Sequence, residues 1–553
     1  MLKKIIVTIV CIIIAAGLIL FKFYPQVTKS PAAPPEPAKK QADSGGYASD
    51  KVVEPSEIPN LGPAGTYKMN GDTVDVELSV WPGYAPLIVA NGGLSPNPDS
   101  FFFKKYGFKL KIVLSEGEAE SWQALNSGKT AVSATTVDVL ALYGNQLKIE
   151  VPIQLDFSRG GDGILVSKEI TTINQLKGKI VTVAQFTESD FFLRFLAQEA
   201  GLKVKSLKGV GDAIDPESVN LLFTESAFDA ADVFVDSVTR GDKYISGAVT
   251  WSPKTVEIPA DLPDKVRLLA TNRNMLVVAD IVVVNVGFAK ESPKIVRGLV
   301  EGILTGVDMI GRDPQNTLPI AAKAFSMSID ELKKSIQEVH VSNHAENLAF
   351  FTAQPGETGN FNELYYTAVY AYGKEIIANP IAPEKLVNRS YLDAIAQEGL
   401  FAGQTVALGP IKTSEKAEVL EKNPLLTKQI RFLFQPNSAE LDIADTGNQQ
   451  ALTDLTNLLK FMPGSFILLR GHLDNTKVAE FQAKGDAYYR KMAVRAIEQS
   501  KQRAESVKAA LLKAAPNVDA SRVDTEGRGW DEPLPGARPE DNRRVEVQLF
   551  TLE

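Results

Sequence analysis

Two sets of residues in this 553-residue chain have the types and spacing to do binding chemistry. The first lies between residues 81 and 254. Thr135 and Thr136 close a short apolar run and open a helix-like one, so their hydroxyls and the free N–H groups of a helix start can hold an anionic group. Gln185-Phe186-Thr187-Glu188-Ser189 repeats the arrangement after a second strand-like run, which adds Thr187 and Ser189 to the set. Trp81, Tyr84 and Trp251 offer flat apolar walls of the kind ligand pockets use, although a strand-end Trp serves as often in core packing. Arg159 and Lys254 carry charge that can neutralise an anion, while solvated surface is the commoner state for each. Asp162, in Gly160-Gly161-Asp162-Gly163, reads as a turn former.

The second set lies near the C-terminus, in Gly471-His472-Leu473-Asp474-Asn475-Thr476, Ser500-Lys501-Gln502-Arg503-Ala504 and Asp541-Asn542-Arg543-Arg544-Val545-Glu546-Val547. A carboxylate here and a planar guanidinium there can recognise a ligand carrying both charges. Any one of these residues alone reads as a surface salt bridge.

Catalysis finds little support. The three histidines, His340, His344 and His472, are too few and scattered for a zinc centre, and the one cysteine is Cys11. No Ser-His-Asp or Cys-His constellation can be assembled, so the expectation is a non-enzyme without metal or cofactor. A net charge of −8 argues against a nucleic-acid partner. Hydrophobic residues at 44% and charged ones at 23% are ordinary for a folded chain, and the length calls for several domains.

The elements that must position these residues are legible in the pattern. Residues 1–23 hold Lys3-Lys4 and an apolar run from Ile5 to Phe21, long enough to cross a bilayer as a helix with its N-terminus in the cytoplasm. An uncleaved anchor is favoured over a cleaved signal peptide, because bulky residues follow the run where a cleavage site would lie. Residues 24–73, rich in Pro, Ala, Ser and Gly, read as a disordered spacer. From Val74, runs such as Asp75–Trp81, Lys109–Leu114, Lys179–Val183, Val233–Val235 and Ile281–Val286 read as strands, alternating with helical stretches such as Phe191–Glu199 and Ser292–Gly311. That alternation implies parallel α/β architecture, with ligands beyond the carboxyl ends of strands. After a connector at 396–427, residues 428–553 read as a smaller α/β unit with strands near Gln429–Phe434, Phe466–Arg470 and Arg543–Leu549 and a helix at Thr446–Phe461.

The middle region resembles the type II periplasmic substrate-binding proteins of the nitrate/sulfonate/taurine kind. The matching pieces are Trp81-Pro82-Gly83-Tyr84-Ala85-Pro86, Ala134-Thr135-Thr136-Val137-Asp138, Leu155–Ile164, Leu176-Lys177-Gly178-Lys179 and Ala248–Pro253. The resemblance implies a two-lobed fold over 74–395, with one lobe at 74–156 plus 260–395 and the other at 157–259, closing on a ligand by hinge motion. The C-terminal motifs resemble the OmpA-like peptidoglycan-binding domain. There the resemblance assigns Asp474 to the ammonium of diaminopimelate, Arg503 to its carboxylate, Thr476 to a polar neighbour, and Asn542 and Arg543 to lining or bracing the pocket. Asp474 and Arg503 lie 29 positions apart, about twice the family separation, and Leu473 and Ala496 depart from its pattern.

Together these readings give a tethered periplasmic solute-binding protein of a Gram-negative-type envelope. It is expected to capture a small anionic ligand for uptake or sensing, with peptidoglycan, a small-molecule solute, the membrane and an ABC permease as partners. The alternative is a structural cell-wall tether whose binding-protein-like domain no longer holds a solute.

Overall fold

A computed structural model describes residues 49–115, 117–352, 360–409, 424–435 and 438–551. The expected membrane helix at 1–23, most of the spacer and much of the connector lie outside the described residues. Among those described, no helix is long and apolar enough to cross a membrane.

Two sheets build the large middle region. The first runs, in spatial order, Val339–Val341, Ile149–Ser158, Ala279–Asn285, Val132–Thr136, Thr73–Leu78 and Lys109–Leu114. The second runs Val52–Val53, Ser218–Thr224, Ile180–Ala184, Gly247–Trp251, Asp162–Ser167 and Val266–Thr271, with Lys203–Ser206 also on Ser218–Thr224. Strands of both sheets are buried on both faces, as helix-covered sheets require. The sheets are mixed rather than wholly parallel. Thr73–Leu78 pairs parallel with both neighbours, while Ala279–Asn285 runs antiparallel to both of its own.

The chain passes from the second sheet to the first between Val53 and Thr73, and then crosses between the lobes twice more. It leaves the first sheet at Ser158 and enters the second at Asp162, then leaves the second at Thr271 and re-enters the first at Ala279. Asn272 ties the two crossings together: its Oδ1 accepts from the Gly160 N–H at 2.7 Å and its Nδ2 donates to Asp162 Oδ2 at 2.7 Å. The return therefore comes after Thr271, later than the expected boundary at 260, because Val266–Thr271 still belongs to the second sheet. Val233–Val235, expected as a strand, lies inside the helix Ala227–Arg240. Its apolar residues fall at Ala227, Ala230, Ala231, Val233 and Phe234, a helical spacing that buries one stripe.

Residues 49–73 depart from the spacer expectation. Val52–Val53 adds an antiparallel strand to the second sheet, Lys51 pairs with Asp229 and Asp232, and Leu61 and Tyr67 are buried. Leu61 and Tyr67 gain burial that composition alone does not reveal.

The C-terminal region is a four-stranded sheet ordered Leu426–Ile430, Val545–Thr551, Ser465–Gly471 and Val523–Gly527, packed under the helices Thr446–Phe461 and Asp486–Ala514. It abuts both lobes and the return crossing. The Leu276 N–H donates to Phe461 O at 2.6 Å, Asn174 and Thr427 exchange hydrogen bonds of 2.8 and 2.7 Å, and Lys460 pairs with Glu363 at 3.6 Å. Gly464 lies so close to Asn274 that a Cβ there would stand 2.3 Å from Asn274 Cγ, which only glycine avoids.

Candidate functional site

The residues expected to bind a solute separate into those that gather at the crossings and those that do not. Trp81 and Tyr84 flank a short 3-10 turn after the strand Thr73–Leu78, with Pro82 at its start. Trp81 Nε1 donates to Asp156 Oδ1 at 3.1 Å, and the Tyr84 hydroxyl donates to Asp280 Oδ1 at 2.7 Å. The turn presses directly on the Asp156 carboxyl: a Cβ on Gly83 would stand 1.9 Å from Asp156 Oδ2.

Thr135 and Thr136 end the strand Val132–Thr136, and Thr136 caps the helix Val137–Tyr143 without a side-chain cap bond. Both are buried, and the Thr136 hydroxyl has no hydrogen-bond partner among the described residues. In the second lobe, Thr187 caps the helix Glu188–Glu199, but its hydroxyl donates back to Ala184 O at 3.0 Å. Ser189 is fully buried with its hydroxyl unpartnered. The loop before that helix is strained. Phe186 adopts φ 64°, a left-handed conformation that costs a non-glycine residue about 1 kcal/mol or more. Its N–H donates to Asp190 Oδ2 at 3.2 Å.

Trp251 closes the strand Gly247–Trp251 as the register partner of Asp162. Its ring centroid stands 5.4 Å from that of Phe228, which is itself exposed. Aromatic surface from both lobes thus borders the crossings.

Arg159 does not join this group. Its guanidinium donates to Arg273 O at 3.1 Å and Gly409 O at 2.8 Å, so it braces the junction behind the crossing. Lys254 is likewise taken, 3.4 Å from Asp232. The anionic-ligand expectation leaned on these two cations, and neither reaches the strand ends where Thr136 and Tyr84 lie.

What the pattern of types missed is acid. Asp138, Asp156, Asp162 and Asp280 are all buried around the crossings. Burial pushes the Asp156 carboxyl up to about 7 and Asp162 up to about 6, against hydrogen bonds from Trp81, Ser158 and Asn272 that favour the charge. Burial holds Asp138 and Asp280 well above the usual carboxylate range, and neighbouring carboxylates raise both further. Asp162 is no mere turn former: it accepts from Ser158 Oγ at 2.9 Å and from Asn272. A lone Asp in a strand-end loop is too common in sequence to signal that four are buried around the same crossings.

The C-terminal residues come together as expected. Asp474 follows the strand Ser465–Gly471, accepts from the Thr476 N–H at 3.1 Å and from its hydroxyl, and takes Arg543 Nε at 2.7 Å. Burial opposes the Asp474 charge, yet Thr476 and Arg543 together hold its carboxyl below the usual range. Arg503 projects from the helix Asp486–Ala514 with its guanidinium 4.9 Å from the Phe434 ring centroid. Burial, then Arg543, pull it down from its usual range while Asp474 pushes back. Its Nε has no acceptor among the described residues. Asn542 plays a bracing part, its Oδ1 accepting from the Leu534 N–H at 2.7 Å. The residues between Asp474 and Arg503 form the helix Val478–Ala483 and the first turns of Asp486–Ala514. They rest through Phe481 and Tyr489 on Trp530, with centroids 5.7 and 6.2 Å apart.

No curated protein matches the chain. Among solved structures, it is similar to the periplasmic aliphatic sulphonate binding protein SsuA from Escherichia coli, at 13% identity and TM-score 0.42, covering 59% of this chain and 100% of that one. It is also similar to the alkanesulfonate-binding protein SsuA from Xanthomonas axonopodis pv. citri bound to MOPS, at 13% identity and TM-score 0.42, over 58% and 100% of the two chains. A Candida albicans gene product described as having the generic periplasmic binding protein fold aligns at 11% identity and TM-score 0.40, over 62% and 99%. Likeness this distant says nothing of what the present chain binds. Residues 433–546 match the model of the OmpA family, so the C-terminal sheet before Asp474 and the helix that carries Arg503 belong to an OmpA domain, carried behind a two-lobed mixed α/β region whose fold resembles periplasmic binding proteins.

Proposed function

We propose that this chain is an envelope solute-binding protein that closes its two lobes on a small molecule while its OmpA domain holds the cell-wall peptide. The observation that supports it best is the meeting of Asp474, Arg503 and Arg543 at one strand end, in a domain joined to lobes whose crossings are lined by aromatic rings and unpartnered buried hydroxyls. A carboxylate beside two guanidinium groups suits a ligand with one ammonium and one carboxylate, the chemistry at the free end of a diaminopimelate side chain. Two of the connections between the lobes are short crossings tied by Asn272, an arrangement that suits a hinge.

In this reading the protein works in the periplasm as a stationary receptor, for delivery to a permease or for sensing. A structural tether with a silent middle domain is the competing outcome. The test has two arms on the full chain. Sedimentation with purified peptidoglycan should retain the protein, and a thermal-shift screen of small solutes should find one that raises the melting temperature by mass action. Failure to sediment removes the wall role, and a screen without any hit favours the tether.

A further inference from the structure

Three strands of the first lobe set polar side chains in one row. Asp280 is the register partner of Asp156 on one side and of Thr136 on the other, and directly opposed residues of antiparallel strands point to the same face. Asp138 lies two residues beyond Thr136, and Asp162 faces the row from the outgoing crossing, where it acts electrostatically on both Asp138 and Asp280. None of the four carboxyls is more than 5% exposed.

The protein supplies these acids with some donors. Asp156 has Trp81, Asp280 has Tyr84, and Asp162 has Ser158 and Asn272. Acceptors remain. Both oxygens of Asp138, Oδ2 of Asp156 and the Thr136 hydroxyl have no well-aligned hydrogen bond among the described residues, although the Thr136 hydroxyl and the Asp138 N–H are near enough to favour the Asp138 charge and Asp280 is near enough to share a proton with Asp156. Thr136 is not an acid, and it is 9% exposed with its hydroxyl on the row. Leaving buried acceptors without donors costs about 1–3 kcal/mol each, more for charged ones. Among the described residues, no Lys or Arg lies against any of the four acids to offset them.

We propose that this row is the recognition surface of the solute cleft and that its ligand is a small organic cation with N–H donors, an alkylammonium or amidinium. The proposal rests on the reading of the lobes as a solute-binding domain and names the class of solute. An ammonium brings positive charge and up to three donors in one group, which fits the leftover acceptors Asp138 Oδ1 and Oδ2, Asp156 Oδ2 and Thr136 Oγ1. Trp81, Tyr84 and the Trp251–Phe228 pair give the cation aromatic faces and its hydrocarbon part apolar walls. An anion would meet four carboxyls with Arg159 and Lys254 both turned to other partners. A metal ion is a poorer fit, because no three His, Cys, Asp or Glu side chains among the described residues converge to coordinate one.

The full-length protein is examined by thermal shift and calorimetry with putrescine, agmatine and acetamidine, with methanesulfonate and phosphate, and with calcium chloride, each at pH 6 and pH 8. At least one amine or amidine should raise the melting temperature and bind more tightly at pH 8, above the values near 7 and 6 to which Asp156 and Asp162 are pushed. Asp138→Asn should weaken that binding at least tenfold while the protein keeps its fold, and Asp232→Asn on the surface should leave it unchanged. Stronger binding of methanesulfonate or phosphate at pH 6 would overturn the charge assignment and leave the solute-binding reading standing. A response to calcium alone would overturn the organic cation. Amine binding that Asp138→Asn and Thr136→Val both leave intact would place it elsewhere on this acidic chain. No response to any probe, nor to a wider set of neutral solutes, would remove the solute-binding reading itself.

Discussion

The crossings between the lobes and the strand end that carries Asp474 on the OmpA domain treat charge in opposite ways. At the crossings, Asp138, Asp156, Asp162 and Asp280 collect one sign of charge, and burial drives their carboxyls toward the neutral form. On the OmpA domain, Asp474 is balanced by Arg543 at 2.7 Å with Arg503 close by, and its carboxyl stays ionised below the usual range. A balanced pocket is ready for a ligand that carries both signs. A one-signed cluster stores a mismatch that protonation or a complementary ligand relieves. The same physics, desolvation against pairing, thus distinguishes two regions of one chain.

The largest effect should come from unbalancing the balanced pocket. Asp474→Ala leaves Arg503 and Arg543 facing each other without the carboxylate, so retention on purified peptidoglycan should fall at least tenfold, about 1.4 kcal/mol. Arg503→Ala should do the same by removing the opposite partner. Unchanged sedimentation of both variants would place the wall contact elsewhere and break the comparison at its OmpA end.

The two regions also differ in how far sequence reveals them. Asp474, Thr476, Arg503 and Arg543 stand in motifs whose order carries the meaning, and the structure brings them together although Asp474 and Arg503 lie 29 positions apart. Asn542 accepts from the Leu534 N–H, which is a bracing contact, one of the two parts the resemblance implies for it. In the middle region Trp81, Tyr84 and Trp251 were found by type and position at strand ends. Arg159 was misplaced because a lone arginine after a strand does not reveal that carbonyls of Arg273 and Gly409 wait behind it. The acid row was invisible for a deeper reason. Asp138, Asp156 and Asp280 become neighbours only through the register of three strands that are distant in sequence. The helix at Ala227–Arg240 was read as a strand from three apolar residues, a run too short to distinguish the two periods.

The next effect is a pH dependence of opposite sign in the two regions. In the empty cleft, the folded carboxyls of Asp156, near 7, and Asp162, near 6, hold their protons more tightly than the unfolded chain does. Unfolding therefore releases protons between about pH 4 and 7, and this contribution to stability is present at low pH and lost as pH rises. The groups facing these acids are Tyr84, Glu338 with Arg273 beside it, and Tyr372 next to the Asp190–Arg194 pair. Asp474, depressed in the folded state, contributes above its unfolded range and loses that contribution as pH falls. Melting curves from pH 4.5 to 7.5 should show Asp156→Asn falling less steeply than the parent, by roughly 4 °C across the window. An identical slope in the two proteins would mean that Asp156 is ionised and paired in the empty protein.

A smaller effect sharpens the one-signed end. Asp138→Asn replaces a buried, unpartnered carboxyl with a neutral amide of the same shape, so the empty protein should gain about 1 kcal/mol near neutral pH. That is a rise of roughly 2–4 °C. A destabilised variant with an intact fold would show that Asp138 has a structural partner, and the cleft would then resemble the OmpA pocket rather than contrast with it.

The smallest effect asks whether the two regions are independent at all. Asn174 in the second lobe and Thr427 at the start of the OmpA sheet exchange two hydrogen bonds, close to the Lys428–Glu199 pair at 3.3 Å. Asn174→Ala removes both and should cost about 1 kcal/mol. Its informative readout is hydrogen exchange: the Thr427 amide should lose protection, whereas the Leu276 amide, donated to Phe461 on the return crossing, should keep it. If protection falls at both, the seam opens as one unit and the OmpA domain is released from the hinge whenever the second lobe lets go. The charge-mismatched cleft and the balanced pocket would then be energetically linked, because relief of one would change the contacts that position the other. If only Thr427 responds, the crossing and the OmpA domain remain fastened through Leu276, and lobe closure proceeds against a fixed C-terminal block.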